Sequence, residues 1–178
     1  MGENDILFWF FLLYNDASGT CLARNNPQAS MNGEYKMRIL ICDDDLLIVE
    51  KLQKYLKSYF SHLHLRCPEI VCFSDGESLL ADPGDKDILF LDIEMPGLDG
   101  IYVGNELKKK EKDIIIFIIT SYSEYLDEAM RFHVFRYLSK PIDRQRLFRN
   151  LKDALDLYHS TLLAAVMGIS NCTITMLL

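Results

Sequence analysis

The sequence predicts an α/β fold built on one doubly wound parallel sheet. Three observations carry this. From residue 38 onward, short apolar runs alternate five times with segments of helical character. Most of these runs are continuous in Ile, Leu and Phe, the pattern of strands buried on both faces. Every run but the second ends in polar or charged residues, at Asp43 and Asp44, Asp92, Thr120 and Lys140. A doubly wound sheet with right-handed crossovers brings such ends together at one carboxyl edge.

The elements follow in order. The first strand, β1, is Arg38-Ile-Leu-Ile-Cys42, stopped by the acids Asp43, Asp44 and Asp45. Helix α1 is read from Ile48, Leu52, Tyr55, Leu56 and Tyr59, which share a face with Lys51, Lys54 and Lys57 off it. Pro68 breaks the chain, and β2 is Glu69-Ile-Val-Cys-Phe73. Ser74-Asp75-Gly76 turns into α2, a short helix around Leu79 and Leu80 that Pro83-Gly84 ends. Strand β3, 88–92, is Ile-Leu-Phe-Leu-Asp, followed by a Pro-Gly break. Helix α3 is expected over 100–110, with Lys108, Lys109 and Lys110 at the end that the helix macrodipole favours for cations. Strand β4, 114–119, is the plainest buried run. Helix α4 is expected over 124–132, β5 over 136–139, and α5 over 143–158 with Leu147, Leu151, Ala154, Leu155 and Tyr158 inward.

Composition bounds the function. With 178 residues there is room for one domain of ordinary size and a full core. A formal net charge of −7 argues against broad binding to nucleic acid or anionic membrane. Cys21, Cys42, Cys67, Cys72 and Cys172 form no CxxC, and their odd number suits a reducing, cytoplasmic setting. Residues 1–36 read differently from the rest. The apolar run Ile6 to Tyr14 is shorter than the ~20 residues of a spanning helix, and Glu3 and Asp5 stand where a signal peptide needs positive charge. Two readings of this leader stand: an upstream extension without function, or an anchor for a membrane or partner. Residues 160–178 form an apolar tail, without a charged residue from Thr161 onward. It is expected to hold no effector domain, which makes DNA binding by this chain unlikely on length alone.

The acids at the strand ends carry the chemistry. Three carboxylates in one pocket repel, and without a counter-charge one must keep its proton. A divalent cation resolves this, and an all-oxygen site with few protein ligands suits Mg2+. Lys140 adds a positive charge and Thr120 a hydroxyl donor, a set able to stabilise a transferring phosphoryl group. Asp92, at the centre, is placed to attack phosphorus and form an acyl phosphate.

These residues also match a family. From Met37 to about His159 the sequence resembles the receiver domain of two-component response regulators, which are CheY-like and of flavodoxin-like (βα)5 fold. The matching pieces are Ile41-Cys-Asp-Asp44, Leu91-Asp92-Ile-Glu-Met-Pro-Gly-Leu-Asp-Gly100, Ile119-Thr120-Ser121 and Tyr137-Leu-Ser-Lys140-Pro141. The resemblance implies strand order 2-1-3-4-5, the order of the chemotaxis receiver that serves as a standard example of this fold. It implies that Asp92 accepts a phosphoryl group from a sensor histidine kinase. Asp43, Asp44 and Asp92 would hold Mg2+ with the backbone carbonyl of Glu94. Thr120 and Lys140 would contact the phosphoryl group, Tyr137 would be the aromatic switch, and the bond before Pro141 would be cis. The face of α4, β5 and α5 commonly dimerises or docks partners in the family, so a homodimer through α4-β5-α5 is one expected form. The stretch Phe135 to Asp143, with the Ile-Cys-Asp-Asp-Asp opening, looks most like the receivers of LytTR-type regulators.

Glu94 and Tyr122 lie two residues beyond Asp92 and Thr120, at the rim where water approaches an acyl phosphate. They are expected to tune its lifetime, with Tyr122 screening water. The rival readings are a degenerate receiver acting only as a binding module and, further off, a Mg-dependent phosphohydrolase. The second lacks the usual Asp two residues after the nucleophile, since Glu94 stands there. The reading adopted is a phosphoacceptor signalling domain that catalyses only its own phosphoryl transfer and dephosphorylation. A zinc fragment at His62, His64 and Cys67 lacks a fourth ligand at sensible spacing.

Overall fold

A computed structural model describes residues 37–121 and 134–167. Leader 1–36, the expected helix α4 and most of the tail lie outside the described residues. The elements are β1 (Arg38–Cys42), α1 (Leu46–His62), β2 (Glu69–Phe73), α2 (Gly76–Ala81), β3 (Ile88–Leu91), α3 (Gly100–Lys110), β4 (Ile115–Thr120), β5 (Arg136–Ser139) and α5 (Arg144–Met167). All strand pairs are parallel and the order is β2-β1-β3-β4-β5. The fold is therefore the flavodoxin-like one that the alternation and the resemblance imply.

Strand burial follows position in the sheet. The central strands β3 and β4 are buried at every residue, because helices cover both faces. The edge strand β2 is exposed at Glu69 and Cys72. Successive side chains on a strand point to opposite faces. Leu40, Leu89, Leu91, Ile116 and Ile118 pack with Leu79 of α2 and with Val103 and Leu107 of α3. The alternate residues include Phe90 and Phe117, whose rings stack at 4.7 Å across neighbouring strands. Helices α1 and α5 meet each other through Tyr59 and Phe148, edge to face at 5.0 Å.

Aspartates start the helices that leave the carboxyl edge. The carboxylates of Asp45, Asp75 and Asp99 accept from the N–H groups of Leu47, Ser78 and Tyr102 at 2.9, 2.7 and 2.7 Å. Such caps satisfy donors that a helix start otherwise leaves open, each contributing about 1 kcal/mol. Several boundaries differ from the sequence reading, two of them with a clear cause. Strand β4 takes in Thr120, because Lys140 N–H donates to its carbonyl and extends the pairing. Helix α5 does not stop near Tyr158 but runs to Met167. No Pro or Gly intervenes before Gly168, so nothing local ends it. The compact unit holding the sheet spans Met37–His159.

Candidate functional site

Strand pairing brings the acids together. In the β1–β3 pair Cys42 lies beside Leu91, so Asp43 and Asp92 follow the last residues of neighbouring strands. Asp43 N–H donates to the Phe73 carbonyl at 3.1 Å, and Asp92 N–H to the Cys42 carbonyl at 2.9 Å. Carboxylate oxygens of Asp43, Asp44 and Asp92 all lie within 4.8 Å of one another. Asp43 and Asp92 are buried, whereas Asp44 faces solvent.

Lys140 reaches this cluster from the end of β5. Its Nζ lies 2.7 Å from Asp92 Oδ2 and 2.8 Å from Asp43 Oδ2. Asp92 Oδ1 accepts from the Ile93 N–H at 2.7 Å, so both its oxygens are engaged. Asp43 Oδ1 accepts from the Asp45 N–H at 2.9 Å. Asp43 Oδ2 is buried without a well-aligned hydrogen bond and is compensated by the ammonium charge instead. Burial pushes the Asp43 carboxyl above its ordinary range, and Lys140 and the Asp45 N–H offset this only in part. Burial also opposes the charge on Lys140, but Asp43 and Asp92 outweigh it and raise the lysine pKa.

The donor chemistry is all oxygen, at least one buried oxygen is poorly satisfied, and like charges crowd within a few ångströms. Such a set fits a small, hard divalent cation. Thr120 is fully buried at the end of β4. Tyr137 is half-buried and packs against the cluster containing Cys42, Leu91 and Ile118. Glu94 is exposed. The Lys140–Pro141 peptide is cis. Tyr122 lies outside the described residues.

Sequence reasoning missed the residues that hold the loop after Asp92. A Cβ on Gly100 would run into the Asp92 carbonyl, and its N–H donates to the Ile93 carbonyl at 2.9 Å. Gly97 has φ +83°, a conformation that favours glycine. Glu77 of α2 accepts from the Leu98 N–H at 3.2 Å. The Pro-Gly and Asp-Gly pairs signal turns, but nothing local signals the Glu77 contact, which spans 21 residues. The Cys42 Sγ lies 3.5 Å from the Met95 Sδ under this loop. Burial, with Asp75 and Asp43 nearby, pushes the Cys42 thiol up to about 12. It therefore stays protonated and inert.

The response regulator receiver domain family matches residues 39–152. The chain belongs to that family. Among its relatives, this receiver is 29% identical over 116 residues to the sensory transduction protein LytT of Bacillus subtilis, covering 65% of this chain and 47% of that protein. It is 35% identical over 118 residues to the transcriptional regulatory protein BtsR of Escherichia coli, covering 65% and 46%. The chain thus spans about half the length of these relatives. The response regulator TrrA of Thermotoga maritima, solved in complex with Mg(2+)-BeF, is similar at 33% identity and TM-score 0.57, covering 66% of this chain and 97% of that one. The response regulatory domain of MrkE from Klebsiella pneumoniae aligns at 25% identity and TM-score 0.63, covering 70% and 99%. The relatives thus include LytT-type response regulators, and the architecture is that of CheY-like receivers. No helix among the described residues is long and apolar enough to cross a membrane.

Proposed function

We propose that Asp92 accepts a phosphoryl group from a sensor histidine kinase, with Mg2+ in the pocket, and that residues 37–159 act as the receiver. The observation that carries this is the seating of Asp92. It lies at the end of a central strand, ion-paired to Lys140 at 2.7 Å and within 4.8 Å of two further acids. Asp43, Asp44, Asp92 and the Glu94 carbonyl would hold the metal. Mg2+ supplies charge neutralisation for the acids and for the incoming phosphoryl oxygens. An Asp92 carboxylate oxygen attacks phosphorus in line, an O–P bond forms, and the P–N bond to the kinase histidine breaks with imidazole as leaving group. Lys140 and the Thr120 hydroxyl then contact the transferred oxygens.

The new charge draws Thr120 and Lys140 towards it, and Tyr137 fills the space left behind. This biases a two-state element made of α4, β5 and α5, the face that dimerises or meets an output partner. Glu94 and Tyr122 set how fast water removes the phosphoryl group. A cytoplasmic setting fits the thiols. The mass of the intact chain, measured after incubation with acetyl phosphate and Mg2+, tests the reading. Wild type should gain one phosphoryl group only with Mg2+, and Asp92→Asn should gain none. A folded wild type that gains nothing overturns it in favour of a binding module.

A further inference from the structure

The surface formed by α1 and α5 reverses the sign of the chain's charge, which is −7 overall. From Lys51 to His62, α1 carries three lysines and no carboxylate. From Arg144 to Lys152, α5 carries three arginines, one lysine and no carboxylate. The two stretches abut. Tyr59 meets Phe148 at 5.0 Å, and the Arg144 guanidinium donates to the Ser58 hydroxyl at 3.0 Å. Lys51 lies over the half-buried Tyr55 ring at 5.8 Å and Arg144 over that of Phe148 at 4.9 Å, which helps to fix both cations. Arg146 turns aside to the Tyr137 carbonyl, and Lys152 lies 3.7 Å from Asp156. Lys51, Lys54, Lys57, Arg144 and Arg149 are ion-paired to no carboxylate of the described residues. Of the acids that flank the stretches, Asp143 accepts from the Arg146 N–H at 2.6 Å and Asp153 lies 3.7 Å from Arg136.

No exposed side chain of either stretch is apolar. A protein partner would therefore find no apolar anchor among these cations. An anionic membrane needs apolar side chains beside them, but the exposed leucines of α1, Leu46 and Leu47, stand at its other end, next to Asp43, Asp44 and Asp45. Exposed lysine and arginine interspersed with Ser58, Ser61, Gln145 and Asn150 is instead the set of groups that contacts nucleic-acid phosphates. We propose that the α1–α5 face binds the phosphate backbone of a nucleic acid, without reading base sequence. Lys54, Lys57 and Arg149 meet phosphates as exposed charges, and Arg144 presents the planar fork that matches a phosphate. Release of counterions from the backbone drives the association. The acidic remainder of the chain repels the same polyanion and confines contact to this face. No residue of the acid cluster takes part, so the inference stands apart from the phosphoacceptor reading.

The probe is a fluorescein-labelled DNA duplex of mixed sequence and about 20 base pairs. It is titrated with the full chain, without Mg2+, and followed by anisotropy. With about four phosphates contacted, log K should fall against log salt with a slope of about −4. Lys54→Gln combined with Arg149→Gln should weaken binding about tenfold and flatten that slope by about 2. The control removes the same charge elsewhere. Lys109→Gln with Lys110→Gln, at exposed positions of α3, should bind as wild type does. Amide resonances that shift on binding should lie within 51–62 and 144–152. Three results overturn the proposal: no binding by wild type at about 50 mM salt, an equal loss in the control pair, or shifts centred on another face. Competition decides the class of partner. Poly-glutamate that displaces the duplex at equal charge overturns the nucleic-acid reading in favour of an acidic protein. Tighter binding to phosphatidylglycerol vesicles than to the duplex overturns it in favour of a membrane. An RNA duplex of the same sequence that binds more tightly than DNA keeps the proposal and names RNA as the source; the reverse names DNA.

Discussion

At the scale of single residues, Lys140 is the counter-charge that lets two buried acids sit side by side. Removing one partner of a buried charge set leaves the others uncompensated. Lys140→Met should therefore destabilise the metal-free protein by about 1–3 kcal/mol, read from urea unfolding. It should also enlarge the rise in melting temperature that Mg2+ brings, because the cation then does the work of the ammonium. An unchanged Mg2+ response would show that the metal binds elsewhere. Gly100 acts through space rather than charge. Gly100→Ala drives a Cβ into the Asp92 carbonyl and the Ile93 backbone. It should lower stability by about 1–3 kcal/mol and slow acetyl phosphate labelling, since Asp92 itself must move.

At the scale of elements, the edge of the sheet opposite the acids is tied by ions. The Arg38 guanidinium on β1 lies 2.9 Å from Asp82 after α2, and Lys86 lies 3.5 Å from the same carboxylate. Hydrogen bonds from Arg38, opposed by burial, hold the Asp82 carboxyl below the usual range. A carboxyl lowered in the fold adds stability above its unfolded value near ~3.9, and loses it as pH falls through the folded value. Asp82→Asn should cost about 1 kcal/mol at pH 7 and progressively less as pH drops below about 4. Denaturant midpoints of both proteins across that range check this; a constant gap would exclude the ion pair as the cause.

At the scale of the whole molecule, one compact unit carries the sheet, the acids and Lys140, all between Met37 and His159. A protein limited to residues 37–159 should fold cooperatively and label with acetyl phosphate at a rate within about threefold of the full chain, since each proposed phosphoacceptor ligand lies inside it. Labelling lost in the folded short form would assign the flanking segments a part in the pocket.

Much of this was legible in the sequence for a physical reason. Buried parallel strands need continuous apolar runs, and α/β sheets collect their chemistry where those runs end. Asp43, Asp92, Thr120 and Lys140 are therefore marked by position as well as by residue type. The helices were legible where an apolar face recurs every three or four residues, as in α1. Where no breaker stands, as after Tyr158, the boundary was not. Contacts between distant residues were left to the tertiary structure. It decided that Glu77 pins Leu98, that Gly100 has no room for a side chain, and that one Asp43 oxygen is held by charge alone. The sequence by itself determined which elements form among the described residues and which acids meet. The distances that turn those acids into a site depend on packing between elements far apart in the chain, and no local pattern encodes them.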